Sequence, residues 1–436
     1  MTSMLFGTQT INKEGHLQVG GIDTVALAER FGTPLYVMDE EAFRLRCREY
    51  LGAFRKEAPD TQVSFASKAF LCRAAAALVA EEGLHVDVAS LGELRVVLAA
   101  GVAAETITLH GNYKKDDELA EAIKARVGLV VLDSADEMRA LSRLASASGS
   151  TQRALIRVAP GIDGHTLDAI STGRNDTKFG ITVENGAALS AVEECLQLEG
   201  IDLVGLHAHI GSQIVTVDPF ELLSEKMLEF SKLCATRVGW TPGLLVLGGG
   251  LGIHYTAEDN PPPVEDLASA LVGSVRRAAK ARGLEAPKVA IEPGRSITGE
   301  FGLTLYRVGP IKQVPCGDGQ TRTYVTVDGG LSDNPRPLLY GSEYPTLLAD
   351  RASEESSSLV RVAGRHCETD TLFDVKLPPP REGNLLAVLC TGAYNHVMAS
   401  NYNFFCRPPV VFVRNGDARI VVRRETEEDL LRRDTF

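Results

Sequence analysis

Between residues 62 and 292, apolar runs of strand length recur, and each gives way to a residue able to do chemistry. VSFAS leads to Lys68, LHVDVAS carries Asp87, TITLHG ends near His110, and GLVVLDS holds Asp133. ALIRVAP follows with Arg157, then LVGLHAHIGS with His209 and Ser212, LLVLGGG with Gly248 to Gly250, and KVAIEPGR with Glu292 and Arg295. Stretches with apolar residues at i, i+3 and i+4 separate most of these runs and predict helices; LCRAAAALVAEEG, DDELAEAIKARV and SADEMRALSRLA are typical. Ser134, with Glu137 three residues on, predicts a capping box. Eight strand-helix units predict a (β/α)8 barrel of the TIM type, whose chemistry sits at the C-terminal ends of the strands.

After about residue 300 the period changes. LTLYRVGPIKQV, TYVTVDG, LVRVAG, LLAVLC, PVVFVRNG and RIVVRRE alternate with turn residues and have no full helices between them, which predicts an all-β domain. Residues 1–34, with HLQVGGI and VALAERF, precede the barrel pattern and are expected to complete that domain. The expected division is therefore a barrel over 35–300 and a β-sandwich or β-barrel domain from 1–34 and 301–436. LADRASEESSSL predicts an exposed loop, and ETEEDLLRR a closing helix.

Composition narrows the function classes. The 436 residues are 44% hydrophobic and 23% charged, with a formal net charge of −12, which disfavours nucleic acid and anionic membrane as partners. Nothing approaches 18 consecutive apolar residues, and MTSMLFGTQT lacks a charged region followed by an apolar core, so neither a spanning helix nor a signal peptide is expected. Eight cysteines without a CxxC pair suit a reducing cytoplasm and give no zinc or disulfide framework.

Lys68, ending a strand among Ala66, Ser67 and Ala69, has the setting of an amine nucleophile for carbonyls. GGGLG (248–252) follows a strand and can close its backbone N–H groups on a phosphate, but Ile253 stands where a dinucleotide fingerprint needs its third glycine. In EPGR, Glu292 is placed to bond a protonated ring nitrogen, and Arg295 or the backbone around Gly294 to add to the phosphate cradle. His207 and His209 lie two apart on a strand and so are expected to share a face. With no carboxylate or cysteine at ligand spacing, no metal is expected, and an imidazole stacked on an aromatic cofactor is the better reading.

Together these motifs resemble the fold-type III pyridoxal-phosphate decarboxylases, the barrel-plus-β-domain group that includes alanine racemase. Within it, the sequence is most similar to the diaminopimelate decarboxylases. The resemblance runs from FGTPLYVMD near residue 31 to ETEEDLL, through ISTGRNDTKFGI, GLHAHIGSQ, GGGLGIHY, EPGR, RPLLYG, HCET and GAYNHVMASNYN. It implies pyridoxal 5′-phosphate held by Lys68 as a Schiff base, His209 stacked on its ring, and Ser212, Gly249, Gly250, Gly294 and Arg295 around its phosphate. It also implies Glu292 at the ring nitrogen, and Arg295, Arg336 and Tyr340 on the far carboxylate of meso-diaminopimelate. Cys367 resembles the proton donor, Glu368 the contact to the distal amino group, and Tyr394 a tyrosine touching cofactor and substrate. The implied assembly is a homodimer with shared active sites, and the implied reaction yields L-lysine and CO2 at the end of lysine biosynthesis. The same fold carries decarboxylases of D-lysine, ornithine or a biosynthetic intermediate, racemases, and non-catalytic carriers of the cofactor built on a lone barrel. This chain departs from the family pattern in FASKAF, where Phe70 replaces an amide, in HCETDTLFD, with Thr369 and Asp370, and in FFCRPP.

Overall fold

The computed structural model describes residues 4–162, 178–317 and 319–435. The ISTG part of ISTGRNDTKFGI lies outside the described residues. The chain forms two compact units: one of residues 46–253 and 260–297, the other of residues 1–45, 254–259 and 298–436.

The first unit is a closed parallel barrel of eight strands: β1 (Gln62–Ala66), β2 (His85–Val88), β3 (Ile107–Leu109), β4 (Leu129–Leu132), β5 (Gln152–Ala159), β6 (Ile201–His207), β7 (Leu244–Val246) and β8 (Lys288–Ile291). Each pairs with the next, and β8 returns to β1 through Ile291 opposite Val63. Strands buried on both faces need uninterrupted apolar character, as in LVVL of β4, where all four residues are buried. Leu129, Val131, Leu155, Val246 and Ala290 pack into one apolar cluster. Helices Arg73–Glu81, Asp116–Ala125 and Ala135–Ala147 form where the 3.6-residue spacing places them. Half of the expected capping box forms: Ser134 Oγ accepts from Glu137 N at 3.3 Å. The Glu137 carboxylate turns elsewhere, accepting from Asp133 N (2.9 Å) and pairing with Lys114 Nζ (2.9 Å).

The second unit holds a nine-stranded sheet and a small three-stranded one made of Thr10–Ile11, Leu17–Val19 and Ile22–Asp23. Its long strand Gly302–Pro315 pairs with Thr321–Val327, Leu385–Val388 and Leu35–Asp39. Leu35–Asp39 differs from expectation. The 35–300 boundary puts it in the barrel, yet it is an inner strand of this sheet, parallel to Val410–Arg414. All five residues are buried, so LYVMD has the same uninterrupted apolar character as a barrel strand, and sequence alone cannot tell the two apart. Thr371–Leu377 is a further strand, where the sequence offered only a motif.

Candidate active site

Polar residues collect at the C-terminal ends of the barrel strands. Lys68 sits in a single 3-10 turn, Ser67–Ala69, directly after β1. Its neighbours Ser67 and Ala69 are buried, while the lysine itself is exposed and has no hydrogen-bond or ion-pair partner among the described residues. Its charge depresses both Asp87 and His209, so the three share one electrostatic neighbourhood.

Glu292 follows β8 and is the centre of a buried cluster. Its Oε2 lies 2.9 Å from His207 Nε2 and its Oε1 3.1 Å from His110 Nε2, and the two imidazoles meet edge-on at 5.1 Å. Burial alone would raise the Glu292 carboxyl, but His207 and His110 outweigh it and hold the group well below the usual range. Burial pulls His207 down to about 4, so at neutral pH it meets Glu292 as an uncharged imidazole. Asp87 on β2, buried, is pushed well above the carboxylate range by burial and then by the Glu292 charge. Burial and the Glu292 charge thus push Asp87 up, while the two imidazoles push Glu292 down.

His209 lies beyond the end of β6, which stops at His207, so strand alternation does not set the relation between the two. Burial, then Lys68 and Arg157, lower His209 well below its ordinary value and leave the ring neutral. Gly248 lies against that ring, because a Cβ there would stand 2.6 Å from His209 Nδ1. Gly249 and Gly250 are equally confined: their Cβ atoms would meet Glu292 O at 2.2 Å and Gly211 O at 2.4 Å. The loops after β6, β7 and β8 therefore touch backbone to backbone. Arg295, nearly buried, directs Nε and Nη2 to Ser212 Oγ at 3.2 and 3.1 Å, and Gly294 packs on Ala66 and Ala69 beside Lys68.

Asp87, Asp133 and His110 each end an apolar run of the sequence. The structure puts His110 and Asp87 in the Glu292 cluster, and sets Asp133 under Gly180 N at 2.7 Å with Arg157 4.0 Å away. The signal was present, since each ends an apolar run, but the partner of each became visible only when the barrel closed.

In the second unit, Arg336 opens the short helix Arg336–Tyr340 and is buried. Its Nε donates to Tyr344 Oη at 2.9 Å and its Nη2 to Ser342 Oγ at 3.3 Å. The rings of Tyr340 and Tyr394 lie 5.2 and 5.5 Å from its guanidinium carbon. Among the described residues it has no carboxylate partner, although burying a guanidinium is costly without an anion. Cys367 and Glu368 are exposed in the loop before strand Thr371–Leu377, and the Cys367 N–H donates to Asn403 Oδ1 at 3.0 Å. Tyr402 donates its hydroxyl to Glu368. Helix Arg336–Tyr340 packs against Thr371–Leu377.

The family model for "Pyridoxal-dependent decarboxylase, pyridoxal binding domain" matches residues 45–299. The chain is 44% identical over 434 residues to the diaminopimelate decarboxylase of Bacillus subtilis (strain 168), covering 99% of this chain and 98% of that one. It is also 44% identical over 429 residues to that of Mycobacterium tuberculosis (strain ATCC 25618 / H37Rv), covering 97% and 95%. The crystal structure of diaminopimelate decarboxylase from M. jannaschii in complex with L-lysine superposes with a TM-score of 0.91 at 33% identity, covering 99% of both chains. A lysine/ornithine decarboxylase from Vibrio vulnificus, at 21% identity and a TM-score of 0.75, shares the fold.

Proposed function

The chain belongs to the pyridoxal-dependent decarboxylases of the diaminopimelate decarboxylase family, and from that premise we propose how its residues divide the work. It is a carboxy-lyase that uses pyridoxal 5′-phosphate to convert meso-diaminopimelate into L-lysine and CO2. That cofactor needs an amine for its aldehyde, a cradle for its phosphate and a carboxylate for its ring nitrogen. The barrel unit offers Lys68 with its amine unpartnered among the described residues, the side-chain-free loops at Gly249, Gly250 and Gly294 with the Arg295–Ser212 pair, and Glu292 with its carboxyl held low by His207 and His110. When bound, pyridoxal phosphate delocalises the electron pair left by the departing carboxylate.

The remaining work belongs to the side chains. Lys68 supplies the amine. Glu292, kept anionic against burial by two imidazoles, holds a proton at the ring nitrogen. His209, neutral, presents a flat face for stacking. Cys367 returns a proton to the carbon that has lost its carboxylate, since general acid groups must reach the reacting atom. Arg336, Tyr340 and Arg295 take the far carboxylate, Glu368 the distal amino group, and Tyr394 the substrate and the cofactor.

The observation that carries the substrate class is Arg336, a buried guanidinium flanked by two phenol rings with no carboxylate partner among the described residues. Such a group suits a substrate with a second carboxylate. A diamine-forming enzyme has no use for it. The reaction is tested by release of CO2 and L-lysine from meso-diaminopimelate, with D-lysine, L-ornithine and L-arginine in parallel. A strong preference for meso-diaminopimelate is expected, and inactivity on it by a protein that still binds the cofactor would overturn the substrate.

We further propose a homodimer in which Cys367 and Glu368 complete the site of a second copy. Both are exposed, as are Leu339 and Phe404 on the same unit. Mixing Lys68→Ala with Cys367→Ala subunits should restore part of the activity, and no recovery in verified heterodimers would sink the shared site. Among the described residues no helix is long and apolar enough to cross a membrane, and all eight cysteines are free, which supports a cytoplasmic enzyme.

A further inference from the structure

We propose that Tyr402 is a positioning residue for Glu368, anchored by the buried His366–Asp370 pair, and that this assembly sets the preference for a substrate bearing a distal ammonium group. The inference rests on reading Glu368 as the contact to that amine.

An exposed glutamate on a loop samples many rotamers, and immobilising it on binding has an entropic cost. Here one oxygen is already committed. The Tyr402 hydroxyl donates to Glu368 Oε1, which leaves Oε2 open to an ammonium. Tyr402 is itself held. Its ring stacks on His366 at 6.0 Å with an interplanar angle of 26°, and His366 is fully buried with Nδ1 2.6 Å from Asp370 Oδ2.

Asp370 is the fixed point. It accepts from the backbone N–H groups of Leu331 (2.7 Å) and His366 (3.0 Å). It occupies a left-handed conformation, φ 37°, that few non-glycine residues adopt. Glycines enclose its carboxylate, since a Cβ on Gly364 or Gly330 would stand 1.9 or 2.3 Å from Oδ2. A second tie runs between the same loops, from Cys367 N to Asn403 Oδ1. The chain of contacts is thus Asp370 to His366 to Tyr402 to Glu368, and its last two residues are on the surface while its first two are not. Asp370 is also one of the residues at which the sequence departs from the family pattern, so the departure has a structural task.

The test measures KM and kcat for meso-diaminopimelate, and Ki for 2-aminopimelate, which keeps both carboxylates and lacks the distal amine. Wild type, Tyr402→Phe, Glu368→Gln and the double variant are compared as holoenzymes. Tyr402→Phe should raise KM roughly tenfold with kcat within about twofold, because a hydrogen bond to a charged group is lost from uniform binding, and should leave Ki unchanged. The double variant should match Glu368→Gln alone. A Tyr402→Phe enzyme with the wild-type ratio of KM to Ki, beside a Glu368→Gln enzyme that has lost it, would overturn the proposal and leave the Glu368 reading intact. An unaltered ratio in Glu368→Gln would overturn both. Asp370→Asn should move the ratio in the same direction, and if that variant folds poorly the exposed Tyr402 ring still carries the test.

Discussion

The barrel mouth and the residues Arg336 and Glu368 of the second unit handle charge in opposite ways. In the barrel, Glu292 and His110 cluster with the buried Asp87 and His207, and the Glu292 carboxylate finds its partners within the cluster. In the second unit, Arg336 is buried without a carboxylate partner among the described residues, and Glu368 is exposed with Oε1 bonded to Tyr402. A group that must keep one protonation state through every turnover is best sealed among fixed partners. A group that must bind and release a substrate is best left one partner short. The first region accordingly suits groups of fixed charge, and the second suits groups that exchange partners.

Substitutions should separate these two kinds of site, and the largest effect is expected in the barrel. Lys68→Ala should lower activity by more than about a thousandfold, with loss of the covalent cofactor absorbance, because no other group can replace the amine. Retention of that absorbance would place the attachment elsewhere. Cys367→Ala should lower kcat by roughly a hundredfold or more, as loss of a positioned general acid does, while steady-state binding of L-lysine changes little. Arg336→Met should act on KM, raising it by roughly ten- to a hundredfold from the loss of charge-assisted hydrogen bonds. A fall in kcat with unchanged KM would instead put Arg336 on the chemical side of the comparison.

The smallest effect is one of stability. His207 is pulled to about 4 in the fold, against about 6.5 in an unfolded chain. Between those values the unfolded chain takes up a proton that the folded one refuses. The stabilising contribution is therefore complete above pH 6.5 and is lost as pH falls towards 4, at up to about 1.4 kcal/mol per pH unit. Urea titrations of wild type and His207→Gln from pH 6.5 to 4.5 should diverge by that slope. Parallel curves would mean that the imidazole is not held neutral.

The barrel was legible because every strand is a short apolar run that ends in a polar residue, and the positions of those residues followed directly. Their pairing was not legible. His207 and Glu292 are 85 positions apart, and only closure of β8 onto β1 brings the strand ends into one ring. Glu137 shows the same limit on a small scale: local spacing marked it for Ser134, but Lys114, 23 positions earlier, competes for its carboxylate. Asp370 could be marked as unusual from sequence, yet its use depends on Leu331, His366 and two glycines that no local pattern joins.

Strand Leu35–Asp39 has a consequence for biosynthesis. Its neighbours are residues 302–305 and 410–413, so Asp39 leaves the ribosome 371 positions ahead of Val410. At about 5–20 residues per second, this buried apolar strand waits roughly 20 to 75 seconds for its last partner. The barrel's own strands, from Gln62 to Ile291, are all made in that interval. The nascent chain therefore carries an unsatisfied β edge through most of its synthesis. Truncation of the last thirty or so residues should leave a product whose failure is aggregation, with all eight barrel strands already made.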